Sequence, residues 1–371
     1  MSVQIRSIET AVPATVLRQT EARDLFQAQP GISRLGSRLI GAAFDASGID
    51  TRGTVVDELD RVKREGDSVF YDAAQGRVLD PGTAARNALY TERAPELFTQ
   101  AAERALGAAS LSAEDVTHVV TVSCTGFYAP GPDYQLVRRL GLAPSTQRFH
   151  LGFMGCYGAF PGLRAARQFC EADPEAVVLV VAVELCTIHV TSSNDPEQIV
   201  ATSVFADGGA AAVVTAREPA PGTPVLELDA LATTLTDEGE TEMAWTIGDH
   251  GFSMRLSTYV PAIIGANIEA AVAPLLASAA VGMDDVARWA IHPGGRSILD
   301  KVQTSLSLSD EQMRPSREVL RTRGNMSSAT VLFILQRLLH GEAVDGERIG
   351  AMAFGPGLTV ELALLTKRGG Q

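Results

Sequence analysis

Apolar residues fall in two alternating patterns along the middle of the chain. VTHVVTVSC (116–124), AVVLVVAVEL (176–185) and GAAAVVTA (209–216) are short, β-branched or continuously apolar runs. Such runs predict strands, and the second suits a central strand covered on both faces. Between them GAFPGLRAARQFCEA (158–172) predicts a helix, with Leu163, Ala166 and Phe169 or Cys170 on one face. Three prolines and a glycine interrupt the pattern in AREPAPGTPVLELDA (216–230), which divides the chain into halves 1–220 and 221–371. The second half alternates again. A helix is predicted near 261–280, a strand at 287–292, a helix from about 327 to 339, and a final strand pair within RIGAMAFGPGLTVELALLTK. Strands alternating with helices predict an α/β fold built of layers. No short repeat is visible, although two such halves fit a diverged duplication.

Composition narrows the class. The chain has 371 residues, 46% hydrophobic and 20% charged, which is ordinary for a globular protein with a large core. Its net charge of −13 argues against non-specific nucleic-acid binding. It leaves anionic small substrates open, since a local basic patch can oppose the global sign. Cys124, Cys156, Cys170 and Cys186 form no CxxC pair, so neither a zinc site nor a disulfide framework is expected. MSVQIRSIETAVP has no apolar core of a signal peptide, and no uninterrupted run of 18 apolar residues occurs. The expectation is a cytoplasmic protein with free thiols, no membrane span and no metal.

One cysteine stands apart. Cys156 lies between glycines in GFMGCYGAF (152–160), where a strand is predicted to give way to a helix. A thiol at a helix N-terminus feels the positive end of the backbone dipole, which favours the nucleophilic thiolate. Packing is the alternative, because unpaired cysteines are among the most buried residues. Among six histidines, His292 ends an apolar strand and enters HPGG, a turn that lets backbone approach a ligand closely. Asn325, in GNMSSATVLF (324–333), sits where its amide can point into a cleft or cap a helix.

Taken together, GCYG, IHPGG, GNMSSATVLF and FGPGLTVE resemble the signature segments of type III polyketide synthases, the chalcone-synthase-like enzymes. PGPDYQLVRRLGL, VFADGGAAAVV, SILDKVQTSLSL and REVLRTRGNMSSA extend the resemblance, which is good from about residue 116 onwards and poor over the first hundred residues. It implies a thiolase-like fold, two similar halves in a layered αβαβα arrangement, and a homodimer. It implies a Cys156–His292–Asn325 triad. His292 would pair with the Cys156 thiolate and lower its pKa, and His292 and Asn325 would stabilise an enolate. The substrates would be coenzyme A thioesters, malonyl-CoA and an acyl-CoA starter, with no permanently bound cofactor.

The resemblance also implies a pocket. Phe205 matches a gatekeeper aromatic, and Met254 stands where a second gatekeeper is usually phenylalanine. Cys124, Thr125, Glu184, Cys186, His189 and Ser327 match pocket positions. Ala129 replaces a bulkier residue that reaches into the partner's cavity. SCTGFYAPG and VELCTIH are more similar to bacterial alkylresorcinol and alkylpyrone synthases than to the plant enzymes, which implies a fatty-acyl starter and a resorcinol or pyrone product. The basic cluster that grips coenzyme A phosphates in the plant enzymes is depleted, and Thr258 stands in place of a lysine. Either Arg34, Arg38 and Arg52, with Arg61, Lys63 and Arg64, take over, or an acyl carrier protein delivers the starter. RVKRE (61–65) by itself reads rather as a solvated charged face.

A ketoacyl synthase of the same superfamily, condensing once, shares the triad and is the nearest alternative, alongside a polyketide synthase with a small or aromatic starter. A papain-like hydrolase also orders Cys, His and Asn this way but in a different cysteine context. An inactive binding scaffold finds no support, since all three residues are present.

Overall fold

The computed structural model describes residues 2–64 and 67–370, so Glu65 of the charged 61–65 stretch lies outside them. Nine strands carry the architecture: β1 (Gln4–Ala11), β2 (His118–Ser123), β3 (Gln147–Gly152), β4 (Val177–Leu185), β5 (Asp207–Thr215), β6 (Val225–Leu235), β7 (Val286–Ile291), β8 (Arg348–Gly355) and β9 (Thr359–Arg368). Their order is β7-β8-β9-β6-β1-β5-β4-β2-β3. In both halves the strands that flank the centre pair antiparallel, and parallel pairs lie outermost. The halves join where β1 meets β6 through a short antiparallel register, Gln4 opposite Glu227 and Ile5 opposite Leu226.

The helices that matter for the site are α1 (Arg34–Ala46), α2 (Thr83–Ala109), α3 (Ala159–Ala172), α4 (Pro196–Val204), α5 (Val260–Ser278), α6 (Arg296–Ser305), α7 (Asp310–Arg323) and α8 (Thr330–Arg337). They stack as five layers. Val178, Val180 and Ala182 of β4 face the middle layer, where Phe160, Leu163 and Ala166 of α3 meet Val331 to Leu335 of α8. The intervening Val177, Leu179, Val181 and Val183 face α2, which supplies Tyr90, Leu97, Phe98 and Ala101. That is why β4 reads as an unbroken apolar run: successive side chains point to opposite faces and both are covered. On the far side, Ile264, Ile268 and Val272 of α5 and Met313 and Leu320 of α7 cover Trp289, Ile291, Met352 and Leu362. Although α5 is long and apolar enough to cross a membrane by composition, its apolar face is spent in this core.

The helix predicted over 327–339 is three pieces. A 3-10 turn, Ser327–Ala329, precedes α8, and a π turn, Leu338–Glu342, follows it. The break comes from Ser327, whose φ of 47° lies in the left-handed region. The Ser327 N–H is drawn instead to the Asn325 side chain.

Candidate functional site

Cys156 occupies a 3-10 turn, Gly155–Tyr157, immediately before α3. Gly155 has φ of +76°, and a Cβ there would lie 2.5 Å from Pro356 Cδ. Glycine therefore lets the turn press against the loop between β8 and β9. His292 follows β7 and continues its ladder, donating its N–H to the Met352 carbonyl at 2.8 Å. Asn325 follows Gly324, where φ of +72° and close approaches to Ala206, Arg52 and Val204 exclude a side chain. Its backbone bridges to α4's end: Asn325 N–H donates to Val204 O at 2.9 Å, and Ala206 N–H donates to Asn325 O at 2.8 Å. Phe205, the expected gate residue, is thus fixed between two backbone hydrogen bonds to Asn325.

The three side chains line one cavity with Phe205, Met243, Met254, Leu256, Ile264, Gly294, Ile298 and Phe354. The free space there is about 20 Å³, room for about one water. Both ring nitrogens of His292 are buried without a partner. Asn325 Oδ1 accepts from Ser327 N–H at 2.8 Å, which orients the amide. Its Nδ2 makes only a long 3.4 Å contact to Gly294 O and so keeps donor capacity.

Burial works against both charged forms. It pushes the Cys156 thiol up to about 12, with the charge of Glu184 adding to the shift and the nearby Ser327 and Asn325 side chains opposing it. It pulls His292 down to about 3. Each charge taken alone is thus disfavoured in this apolar-lined cavity. A proton moved from sulfur to imidazole creates both charges together, and their attraction then offsets part of that cost.

Three further cavities adjoin, one of them an open cleft of about 770 Å³ that reaches Met254, His189 and Phe252. An outer one of about 350 Å³ shares Leu256, Gly294 and Ile298 with the Cys156 cavity and is walled by Ala43, Ala46, Val200, Val204, Val260 and Pro261, with Thr258 and Arg296. An inner one, again about 20 Å³, shares Phe205 and Met254 and is walled by Cys186, His189, Trp245 and Phe252. One hairpin, Met243–Gly248 paired with Gly251–Leu256, floors all four in turn.

Phe205, Met254, Cys186 and His189 thus line cavities. Cys124, Thr125, Glu184 and Ser327 instead form a buried network beside Cys156. The Glu184 carboxylate accepts from Cys124 N–H at 2.9 Å, Thr125 Oγ1 at 2.8 Å, Cys124 Sγ at 3.2 Å and Ser328 Oγ. Cys124 Sγ lies 3.4 Å from Ser327 Oγ. A buried carboxylate recruits every nearby donor, so these residues serve each other before any ligand. Ala129 is exposed, outside the cavities of its own chain.

Arg52 does not face solvent phosphate. It is 2% exposed, and its Nη1 donates to Thr202 O at 2.7 Å and Phe205 O at 2.6 Å, capping the end of α4. Arg34 and Arg38 are exposed on α1, and Arg38 lies about 7.5 Å along the helix from the nearest cavity residue on it, Ala43. The cation on the outer cavity is Arg296, which the sequence reading passed over although it directly follows the flagged HPGG. Trp245, Phe252 and Ser328 were also missed. No periodicity distinguishes them, because the hairpin and the 3-10 turn bring them in by tertiary contact.

Among the described residues no group of three or more His, Cys, Asp or Glu could hold a metal ion. A family model for the N-terminal domain of chalcone and stilbene synthases matches residues 69–219, and one for the C-terminal domain matches 227–368. The chain is 32% identical over 364 residues to the alpha-pyrone synthesis polyketide synthase-like Pks18 of Mycobacterium tuberculosis, covering 96% of this chain and 89% of that one. It is 31% identical to the probable polyketide synthase 1 of Dictyostelium discoideum, covering 96% of this chain but spanning only 11% of that protein's length. The crystal structure of PKS-I from the brown alga Ectocarpus siliculosus superposes with a TM-score of 0.92 at 33% identity, covering 99% and 98% of the two chains. Enzymes of this kind work on coenzyme A thioesters without a bound cofactor. The chain belongs to the chalcone and stilbene synthase family and is a type III polyketide synthase, an acyltransferase that condenses malonyl-CoA onto an acyl starter.

Proposed function

We propose that Cys156 carries the acyl chain, that His292 accepts its proton and that His292 and Asn325 hold the enolate. The starter thioester enters through the outer cavity. Cys156 sulfur attacks its carbonyl, the thiol proton passes to His292, and coenzyme A leaves as its thiol by taking that proton back. Malonyl-CoA then takes its place. The C–C bond to its carboxylate breaks, CO₂ departs, and the electron pair spreads onto the thioester oxygen. Donors preorganised at that oxygen are worth roughly 3 kcal/mol each. The enolate carbon attacks the Cys156 thioester, so the chain moves to coenzyme A two carbons longer and the thiolate is released.

The observation that carries this reading is the convergence of the three side chains on one dry cavity, with an imidazole whose nitrogens have no partner. The starter is a fatty acyl group, and the extended chain closes to a resorcinol or pyrone. The apolar walls of the outer cavity and the flexible Met254 at the gate support this, as does likeness to a relative whose name concerns alpha-pyrone synthesis. Arg296 is positioned to meet a coenzyme A phosphate.

The enzyme works as a homodimer. β3 is the last strand of the sheet, its first four residues are exposed, and Phe149 on it and Phe127 against His150 stand 38% and 37% exposed. An open strand edge with aromatic flanks favours pairing with a second copy.

The test is mass spectrometry of products from malonyl-CoA and a ladder of acyl-CoA starters. Fatty starters should give cyclised products, and Cys156→Ala should abolish both acyl-enzyme and product. Faster turnover with p-coumaroyl-CoA than with every fatty acyl-CoA would reject the starter assignment.

A further inference from the structure

We propose that the exposed face of α1 beside the outer cavity docks an acidic carrier protein that delivers the starter as a phosphopantetheine thioester; the inference rests on Cys156 being the acyl acceptor. Two observations carry it independently: how few cations the cavity offers to coenzyme A, and what α1 presents beside it.

Coenzyme A brings a 3′-phosphate of about −1.5 to −2 charges and a pyrophosphate that adds about two more. Anions of that density are held by several cations or by helix N-termini. The one cation walling the outer cavity is Arg296, at the N-terminus of α6, and Asp300 lies 3.6 Å from its Nε. That is a site for a single phosphate. An arm bound to a carrier protein has one phosphodiester with one charge and no nucleotide. The rest of the wall, with Ala43, Ala46, Val200 and Val204, is largely apolar and suits the pantetheine stem.

The face of α1 supplies the second observation. Gly36, Ile40 and Phe44 form its buried stripe. Leu35, Leu39, Ala42 and Ala46 recur at helical spacing on an adjoining face. This apolar row runs from Ala46 at the cavity to Leu35 in the first turn, which is 66% exposed. An uncovered apolar row with a polar rim marks an interaction surface. Its rim is basic: Arg34 and Arg38 border it and make no ion pair among the described residues. The carboxylates nearby are spent, Asp45 on Arg23 at 2.7 Å, Asp300 on Arg317 at 2.6 Å and Asp50 on Arg321. On a chain of net charge −13, a basic and apolar face orients an acidic partner. The face is also held in place. Ser33 N–H donates to Asn194 Oδ1 at 2.9 Å, and Asn194 Nδ2–H donates to Gly31 O at 2.9 Å.

The transfer step keeps its balance. Cys156 sulfur forms the new thioester, the acyl C–S bond to pantetheine breaks, and the proton lent to His292 returns to the pantetheine sulfur.

The experiment presents one acyl group on two donors, octanoyl-CoA and the octanoyl thioester of a phosphopantetheinylated carrier protein of bacterial fatty-acid synthesis. Acylation of Cys156 is followed by peptide mass in wild type, Arg34→Glu/Arg38→Glu and Leu35→Asp, and kcat/KM for the carrier is divided by that for coenzyme A. The quotient cancels any damage to the cavity itself. Wild type should favour the carrier by at least about tenfold, and each variant should lower the quotient by about tenfold or more, the scale of electrostatic steering and rim contacts. Should the charge reversals not fold, Arg34→Gln/Arg38→Gln carries the same direction. A wild-type quotient at or below one, or a quotient unmoved in the variants, overturns the docking face. A halved sedimenting mass in Leu35→Asp gives the face to a second copy and overturns it too. Acylation of Cys156 by neither donor sinks the acceptor reading beneath, whereas acylation by octanoyl-CoA alone sinks only the carrier.

Discussion

At the scale of single residues, the site is governed by the cost of charge in a dry cavity. Burial drives Cys156 and His292 towards their neutral forms, yet attack on a thioester needs sulfur to shed its proton. The imidazole is the one base facing that cavity, so the thiolate depends on it. Replacing His292 by Gln keeps a polar side chain but removes the proton acceptor. Alkylation of Cys156 by iodoacetamide, followed from pH 7 to 9 and located by peptide mass, should then be at least about tenfold slower than in wild type, equivalent to about 1.4 kcal/mol of lost thiolate stabilisation. Superimposable profiles would show that His292 does not support the thiolate. Cys156, His292 and Asn325 each sit at a strand or helix end marked by glycine, a weak signal taken singly; the family resemblance of the segments around them singled them out, and all three line one cavity. Arg52 was misread for a physical reason. An arginine in a Gly- and Thr-containing stretch looks solvent-facing, and only the fold reveals that α4 ends against it and needs its carbonyls capped.

At the scale of elements, strands and helices were legible where periodicity or continuous apolarity extended over many residues. β4 and α3 lie within two residues of expectation at each end. The hairpin at 243–256 was not legible as a structural unit, since its strands are half-exposed and its register depends on what it covers. His189 pins it through the Phe252 N–H, and that anchor is sensitive to pH. Burial lowers His189 from 6.5 to about 3. Its folded pKa lies below its unfolded one, so its contribution is complete above about pH 6.5 and is lost as pH falls towards 3. At pH 5 the loss is about 2 kcal/mol. His189→Gln does not titrate. Its stability deficit relative to wild type, measured by denaturant unfolding, should therefore shrink by about 2 kcal/mol between pH 7 and pH 5. A deficit constant across that range would mean that His189 is not held neutral by the fold. Because His292 titrates in both proteins, it cancels from the comparison.

At the scale of the whole molecule, the two halves divide the labour. The N-terminal half supplies Cys156 on a turn before a central helix, and the C-terminal half supplies His292 and Asn325 at the ends of β7 and α7. The outer margin of the N-terminal half is the proposed seat of a second copy. Phe127 touches Phe153, and both reach Phe252 of the inner cavity wall at 6.2 and 5.7 Å between ring centroids. Pressure on the open edge at β3 is thereby connected to the cavity by three rings. Sedimentation equilibrium should give twice the chain mass at micromolar concentration. Phe127→Asp places a charge where the partner is expected to pack, so it should shift the protein towards monomer and alter the starter preference with it. A wild-type monomer at those concentrations would reject the dimer. A monomeric Phe127→Asp protein with an unchanged product distribution would separate assembly from specificity.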